Sequence, residues 1–216
     1  MTDNIKTRGQ LDAVERSLST ADNGERWHVV ATLSQEYATD VADLWAACTT
    51  RERLVRWLPA VSGDLRVGGR FKIEGNAAGT IATCEAPHGF SSSWEFKDRI
   101  SRIEVRMEAV GDERSRLTLV HTADVAAYRW AQFGPGATGV GWDCMFLGLA
   151  LHVSTGAVLA EEGKVWEVTD DARQFFADSS CRWADLAVED GIPETDARAA
   201  EKRTTEFYFT GVEQPL

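Results

Sequence analysis

Residues 140–153 are apolar on almost every side, and this stretch constrains the fold more than any other part of the chain. Large side chains recur in it at helical spacing, namely Trp142, Met145, Phe146, Leu149 and Val153. A helix with apolar residues all round has to be covered on several sides by other elements. The sequence therefore predicts a long helix that is buried inside a domain.

The residues before this helix alternate as half-buried strands do. Ile103, Val105 and Met107 alternate with charged neighbours, which gives the clearest strand of the chain. Similar alternation predicts strands at 27–37, 70–74, 80–85, 91–97 and 114–122. Several strands followed by one long buried helix indicate an α+β fold.

The two ends of the chain have a different character. Residues 1–25 are polar and are predicted to form an N-terminal arm before a central domain at 26–156. Residues 157–216 contain two amphipathic stretches, which predict helices at roughly 169–190 and 193–209. Their apolar stripes need cover. We therefore expect a helical hairpin, packed through Phe176, Trp183, Phe207 and Tyr208 on the central domain or on a partner subunit.

Charge and composition narrow the classes of partner. The formal net charge is −11, which repels phosphate backbones, so nucleic acid and anionic membranes are not expected partners. No window approaches the ~20 apolar residues that span a bilayer, and the first residues show no apolar signal segment. The four cysteines are scattered and are expected to be free thiols. These features predict a cytoplasmic protein.

No metal, cofactor or catalytic constellation is predicted. The glycines at 134–139 match G-x-G-x-x-G, but the dinucleotide fingerprint also needs a βαβ unit, and none is indicated. The four histidines form no H-x-x-x-H pair and lie near no cysteine at ligand spacing. A nucleophile elbow and a P-loop are also missing from the sequence.

Several short strings, each weak alone, keep one order and spacing between Trp27 and Thr155. They are WAACT at 45–49, RWLPA at 56–60, GDLRVGGRF at 63–71, GTI at 79–81, SWEF at 93–96, RLTLVHT at 116–122 and GVGWD at 139–143. Together they resemble the SRPBCC (START-like, helix-grip) superfamily, on the branch similar to the C-terminal domain of heat-shock-protein ATPase activators. The C-terminal hairpin resembles the tail of bacterial members of that branch.

The resemblance implies a curved antiparallel sheet wrapped around a long C-terminal helix, with a mostly apolar cavity between them. Two short helices are also predicted, one from Asp40 and a second that ends at Pro59. We expect ligand contacts from residues with inward strand parity, from one face of the long helix and from the second short helix. They are Trp57, Phe71, Ile81, Glu85, Trp94, Val105, Leu119, His121, Trp142, Phe146 and Leu149.

Three kinds of residue in this set allow a purely structural interpretation as well. The tryptophans suit a pocket for a flat or apolar ligand, but aromatic side chains also fill cores. His121 has the position to orient a ligand or to act as acid or base, or it is satisfied by a polar neighbour. Glu85 either reaches the cavity mouth or is solvated at the end of its strand.

The function predicted from these features is binding of a hydrophobic small molecule in the cavity, without catalysis. A first alternative is a protein-interaction role like that of the chaperone ATPase activators, which uses the surface and its acidic charge. A second alternative is a cyclase- or dehydratase-type enzyme in which a cavity histidine or acid handles a proton. A homodimer is left open.

Overall fold

The computed structural model describes residue 7, residues 9–158 and residues 166–212. Eight strands form one antiparallel sheet in the order β1-β2-β8-β7-β6-β5-β4-β3. Their bounds are β1 Glu15–Asp22, β2 Arg26–Tyr37, β3 Val61–Gly63, β4 Arg70–Ile73, β5 Ala78–Glu85, β6 Gly89–Phe96, β7 Arg99–Gly111 and β8 Arg114–Ala126. The sheet does not close on itself, since β1 and β3 remain its two edges.

Helices connect and cover this sheet. Their bounds are α1 Val41–Thr49, α2 Arg51–Leu54, α3 Ala127–Phe133, α4 Gly136–Thr155, α5 Asp170–Glu189 and α6 Glu194–Thr210. The predicted α+β architecture, a curved antiparallel sheet with a long helix late in the chain, is confirmed. No helix in the described ranges is long and apolar enough to cross a membrane.

The long helix α4 is apolar all round because it is buried from two sides. Trp142, Phe146 and Leu149 belong to the main core, together with the inner faces of β2, β7 and β8. Val140 and Leu147 belong to a second cluster formed with α5. These two clusters explain the pattern at 140–153, since neither the sheet nor the tail alone covers the helix.

The tail hairpin packs on α4 of the same chain. Phe176 is 2% exposed and Trp183 is fully buried, and Tyr208 donates a hydrogen bond to the carbonyl of Ala137 over 2.6 Å. A Cβ on Gly139 would lie 2.3 Å from the Trp183 ring, so a glycine is needed where α4 and α5 approach each other. Because the chain itself covers these stripes, they give no support to a homodimer.

The N-terminal segment differs from the predicted polar arm. Residues 15–22 form the edge strand β1, which pairs with β2 along its whole length, and Leu11 and Val14 are buried. Edge strands are commonly polar on their outer side, which weakens the alternation on which strand prediction depends. The sequence therefore shows only a weak apolar set here, at Leu11, Val14 and Leu18. Residues 1–6 and 8 lie outside the described part.

A buried ion pair joins this edge strand to α4 and the tail. Asp143 on α4 is fully buried and accepts from Arg16 on β1 at 2.7 Å. The same carboxylate accepts from the hydroxyl of Ser179 at 2.6 Å and from the indole of Trp183 at 3.0 Å. Two separate segments, β1 and α5, thus satisfy one buried charge on α4.

Candidate functional site

A cavity of about 360 Å³ lies between the inner face of the sheet, the two short helices and α4. Of the predicted ligand-contact residues, all but Glu85 and His121 line it. Those lining it are Trp57, Phe71, Ile81, Trp94, Val105, Leu119, Trp142, Phe146 and Leu149. The sequence patterns therefore place nine of the eleven expected residues in the cavity wall.

Other residues of the cavity wall were not predicted from the sequence. Trp45 and Cys48 line the cavity from α1, and Phe90 lines it from β6. Trp45 and Cys48 are three residues apart on a helix, so they share a face, and this spacing is the signal that was available. Which face of so short a helix turns inward depends on its docking, which the local sequence does not determine.

The wall is aromatic and carries no charge among the described residues. Trp94 lies between Phe71 and Trp142, with ring centroids 6.4 Å and 4.8 Å away, and the rings are tilted to each other by about 45°. Trp45 meets Phe90 edge-on at 6.1 Å. Tilted and edge-on arrangements such as these are favoured between aromatic rings.

His121 lies behind this wall, where polar neighbours satisfy it. The indole N–H of Trp142 donates to His121 Nδ1 at 3.0 Å, so Nδ1 has to be the unprotonated nitrogen. Nε2 then carries the proton and donates to Ser101 Oγ at 2.7 Å, and Ser101 donates to the carbonyl of Trp94 at 3.0 Å. The chain of hydrogen bonds fixes the indole of Trp142 and joins it to the backbone of Trp94.

Burial lowers the pKa of His121 to about 4, so the ring is neutral near pH 7. Both of its nitrogens are occupied, and it does not line the cavity. The expectation that His121 orients a ligand or moves a proton therefore loses its geometric basis. The side chain positions Trp142 instead.

Glu85 points away from the cavity because β5 is irregular. The register of β5 against β6 shifts between Ile81 and Thr83, and this bulge reverses the alternation of the residues that follow. Cys84 and Ala86 therefore line the cavity, and the exposed Glu85 between them does not. The sequence prediction assumed unbroken parity from Ile81 onward and was wrong for this residue.

Thiols are the remaining reactive groups of the wall. Burial raises the pKa of Cys48 to about 12, so this thiol stays protonated and behaves as a small apolar group. Cys84 is exposed. Within the described ranges no three His, Cys, Asp or Glu side chains come together in a way that would hold a metal ion.

Comparison with known proteins places this geometry in a family. The family model described as "Activator of Hsp90 ATPase homolog 1-like protein" matches residues 38–153, which is more than half of the chain. No curated protein matches the chain. The matched range runs from just after β2 into the last turn of α4, so it contains every residue that lines the cavity.

Solved structures repeat the fold over most of the chain. The crystal structure of CalU16 from Micromonospora echinospora is 26% identical, with a TM-score of 0.65, and the match covers 81% of this chain and 98% of that one. The solution structure of CalU16 gives 26% identity and a TM-score of 0.64, covering 83% and 97%.

A more distant structure shares the fold alone. EF2215 from Enterococcus faecalis is 11% identical, with a TM-score of 0.57, over 80% of this chain and 92% of that one. The predicted branch of the SRPBCC superfamily is confirmed, and the chain belongs to the family of Activator of Hsp90 ATPase homolog 1-like proteins.

Proposed function

We propose that this protein binds a hydrophobic small molecule in the cavity between the sheet and α4. The observation that carries the proposal is the cavity itself, with its volume of about 360 Å³ and its aromatic, uncharged wall. Ligand sites are typically concave, largely apolar and of roughly 300–1,000 Å³. A core that only stabilises the fold is close-packed and has few voids larger than a water molecule.

Binding would draw on apolar burial against a wall that is already ordered. Transfer of apolar surface out of water contributes about 25 cal/mol per Å². Trp57 donates its indole N–H to the carbonyl of Ala47 at 3.0 Å, and Trp142 is held by His121. Side chains fixed before the ligand arrives lose little entropy on binding, which favours affinity.

The catalytic alternative finds no support in the residues on which it depended. Glu85 is exposed on the outside of β5, and His121 is engaged on both nitrogens behind Trp142. We therefore propose binding without catalysis. The four cysteines are free, which supports our further proposal of a reducing compartment, the cytoplasm.

A titration tests the proposal directly. Fatty acids, flavonoids and polyketide-like aromatics are added to the protein, and tryptophan emission and binding heat are followed. We expect at least one class to bind with one-to-one stoichiometry and to change the emission, because Trp94 and Trp142 line the cavity. Absence of binding across the whole panel would contradict the proposal.

Adjacent positions on β5 provide a matched pair of variants. Cys84→Trp places an indole on the cavity wall, whereas Glu85→Trp places it on the outer face, and both positions are exposed enough to accept it. We expect Cys84→Trp to block binding and Glu85→Trp to leave the affinity unchanged. Equal effects of the two variants would locate the ligand elsewhere.

A protein-interaction role is a second candidate, and the family description favours it. The matching family is described by activators of the Hsp90 ATPase, and the chain has a net charge of −11 for contacts with a basic surface. The test is the ATPase rate of an Hsp90 from the same organism with and without this protein. Stimulation that Cys84→Trp does not change would assign the activity to the surface instead of the cavity.

A further inference from the structure

The indole N–H groups of the cavity tryptophans are not equivalent. Those of Trp57 and Trp142 are bound to Ala47 and His121. For Trp94 and Trp45, no described residue accepts a hydrogen bond from Nε1. In the described ranges, the side-chain atoms that are inaccessible to solvent and lack a hydrogen-bond partner are Arg56 Nε, Ser92 Oγ, Trp166 Nε1 and Ser180 Oγ. The indole nitrogens of Trp94 and Trp45 are not among them, so both remain accessible.

The donor of Trp94 has a fixed place in the wall. Its ring packs against those of Trp142 and Phe71, and its carbonyl accepts from Ser101. A donor held in this way needs no reorganisation when an acceptor arrives. Trp45 makes one ring contact, with Phe90, and is the less constrained of the two.

The rest of the wall determines which charge a ligand can carry. No described residue that lines the cavity is charged, and burial keeps the Cys48 thiol protonated. A carboxylate or ammonium group entering here would lose its hydration without gaining a counter-ion, which is strongly unfavourable. A neutral oxygen, such as that of a ketone or quinone, loses far less and gains the hydrogen bond.

We infer that the cavity ligand is a neutral aromatic molecule that carries a hydrogen-bond acceptor for the indole N–H of Trp94. The inference rests on the proposed function, because it names the ligand class of the same cavity. The aromatic part packs against the rings of Phe71, Trp94 and Trp142, and the acceptor sets its orientation.

Three naphthalene probes separate the elements of this inference. Naphthalene has only the ring, 2-acetonaphthone adds a neutral acceptor, and 2-naphthoate adds an anionic one. A net hydrogen bond of about 1 kcal/mol corresponds to roughly 5-fold in affinity. We therefore expect 2-acetonaphthone to bind roughly 5-fold tighter than naphthalene and 2-naphthoate to bind weakest, by calorimetry at pH 7.

Conservative variants locate the donor. Trp94→Phe keeps an aromatic ring and removes the N–H, so the advantage of 2-acetonaphthone over naphthalene should disappear. Trp57→Phe is the matched control, because its N–H already bonds to Ala47 and is not available to a ligand. In that variant the advantage should remain, whatever happens to the affinity for both probes.

Each contrary result would overturn one element of the inferred binding mode. Naphthoate binding as tightly as the ketone would overturn the neutral ligand, and equal binding of ketone and naphthalene would overturn the acceptor. Loss of the advantage in Trp45→Phe but not in Trp94→Phe would overturn the choice of Trp94. In all three cases the protein still binds a hydrophobic ligand. Failure of every probe, together with the broad panel above, would overturn the proposed function as well.

Discussion

The two sides of α4 are equally apolar in sequence, yet they are buried in different ways. Toward the tail, Val140 and Leu147 pack against α5, which approaches so closely that Gly139 has no room for a side chain. Toward the sheet, Phe146 and Leu149 face a cavity of about 360 Å³. One side is a filled core, and the other side leaves space for a ligand.

Two polar groups, one on each side of α4, show a related difference. On the tail side the carboxylate of Asp143 is bound by Arg16, Ser179 and Trp183. On the sheet side Trp94 keeps an indole N–H without a partner among the described residues. A satisfied buried charge locks the packing of the segments around it, whereas an unpaired donor in an apolar wall leaves a hydrogen bond for a ligand.

The largest expected effect tests whether the two sides differ in packing. Phe176→Ala removes a 2% exposed side chain from the filled side and should lower the free energy of unfolding by about 3–5 kcal/mol. Trp94→Ala removes a larger side chain but borders a cavity, so fewer packing contacts are lost. Its cost should be clearly smaller, as measured by urea unfolding.

The informative result is which variant loses more unfolding free energy. We expect the larger loss from Phe176→Ala, although Trp94→Ala removes the larger side chain. If Trp94→Ala destabilises the protein more than Phe176→Ala does, the wall is tightly packed core and the comparison fails. Ligand titration of Trp94→Ala provides a second, independent measurement, because a residue that lines the cavity changes the ligand affinity even when it changes the stability little.

Asp143→Ala tests the locking of the tail side. It leaves Arg16, whose side chain is 5% exposed, as a buried charge without its counter-ion. Removing one partner of a buried pair costs about 3–5 kcal/mol. The control is Asp185→Ala, which breaks the half-exposed pair with Arg198 and should cost about 1 kcal/mol or less. Equal costs would show that Asp143 does not hold β1, α4 and α5 together.

The pH dependence of stability tests the hydrogen-bond chain that His121 forms behind the cavity. The pKa of His121 is lowered from 6.5 to about 4 by burial, so the unfolded state binds more protons between these values. Stability should therefore be highest above pH 6.5 and decrease as the pH falls toward 4. The full shift corresponds to about 3 kcal/mol.

His121→Gln separates this contribution from that of other groups. The pKa of His152 is also lowered, chiefly by burial, so part of the acid sensitivity has the same sign and a different origin. We expect the variant to show a shallower fall in unfolding free energy between pH 6.5 and pH 4.5. An unchanged slope would mean that His121 is not buried as a neutral ring.

Sequence patterns located most of the fold and part of the cavity wall because these depend on local periodicity. Strand parity placed Val105 and Leu119 inward, and helical spacing placed Phe146 and Leu149 on one face. The same patterns failed where one inserted residue changed the parity, as it did before Glu85. They also missed Trp45, whose orientation depends on how α1 docks on the sheet.

Two further properties depend on contacts between distant residues. His121 is satisfied by Ser101 and Trp142, which lie 20 and 21 positions away, and no local pattern indicates such partners. The difference between filled core and cavity is similar, since Leu147 and Leu149 are both leucines on one helix and differ only in what packs against them. Hydrophobicity predicts burial, but the volume left between elements is a property of the assembled fold.

The smallest expected effect concerns two buried serines, one on each side of α4. Ser92 on β6 is 1% exposed, and no described residue bonds to its hydroxyl. Its neighbours across the strands, Ile81 and Ile103, line the cavity. Burying an unpaired hydroxyl costs about 1–3 kcal/mol, so Ser92→Ala should raise the free energy of unfolding by about 1 kcal/mol.

Ser179→Ala is the matched change on the tail side, where the hydroxyl donates to Asp143, and it should lower stability. Opposite signs in urea unfolding would sharpen the comparison between the two sides, whereas a loss of stability in both variants would show that the hydroxyl of Ser92 is satisfied as that of Ser179 is.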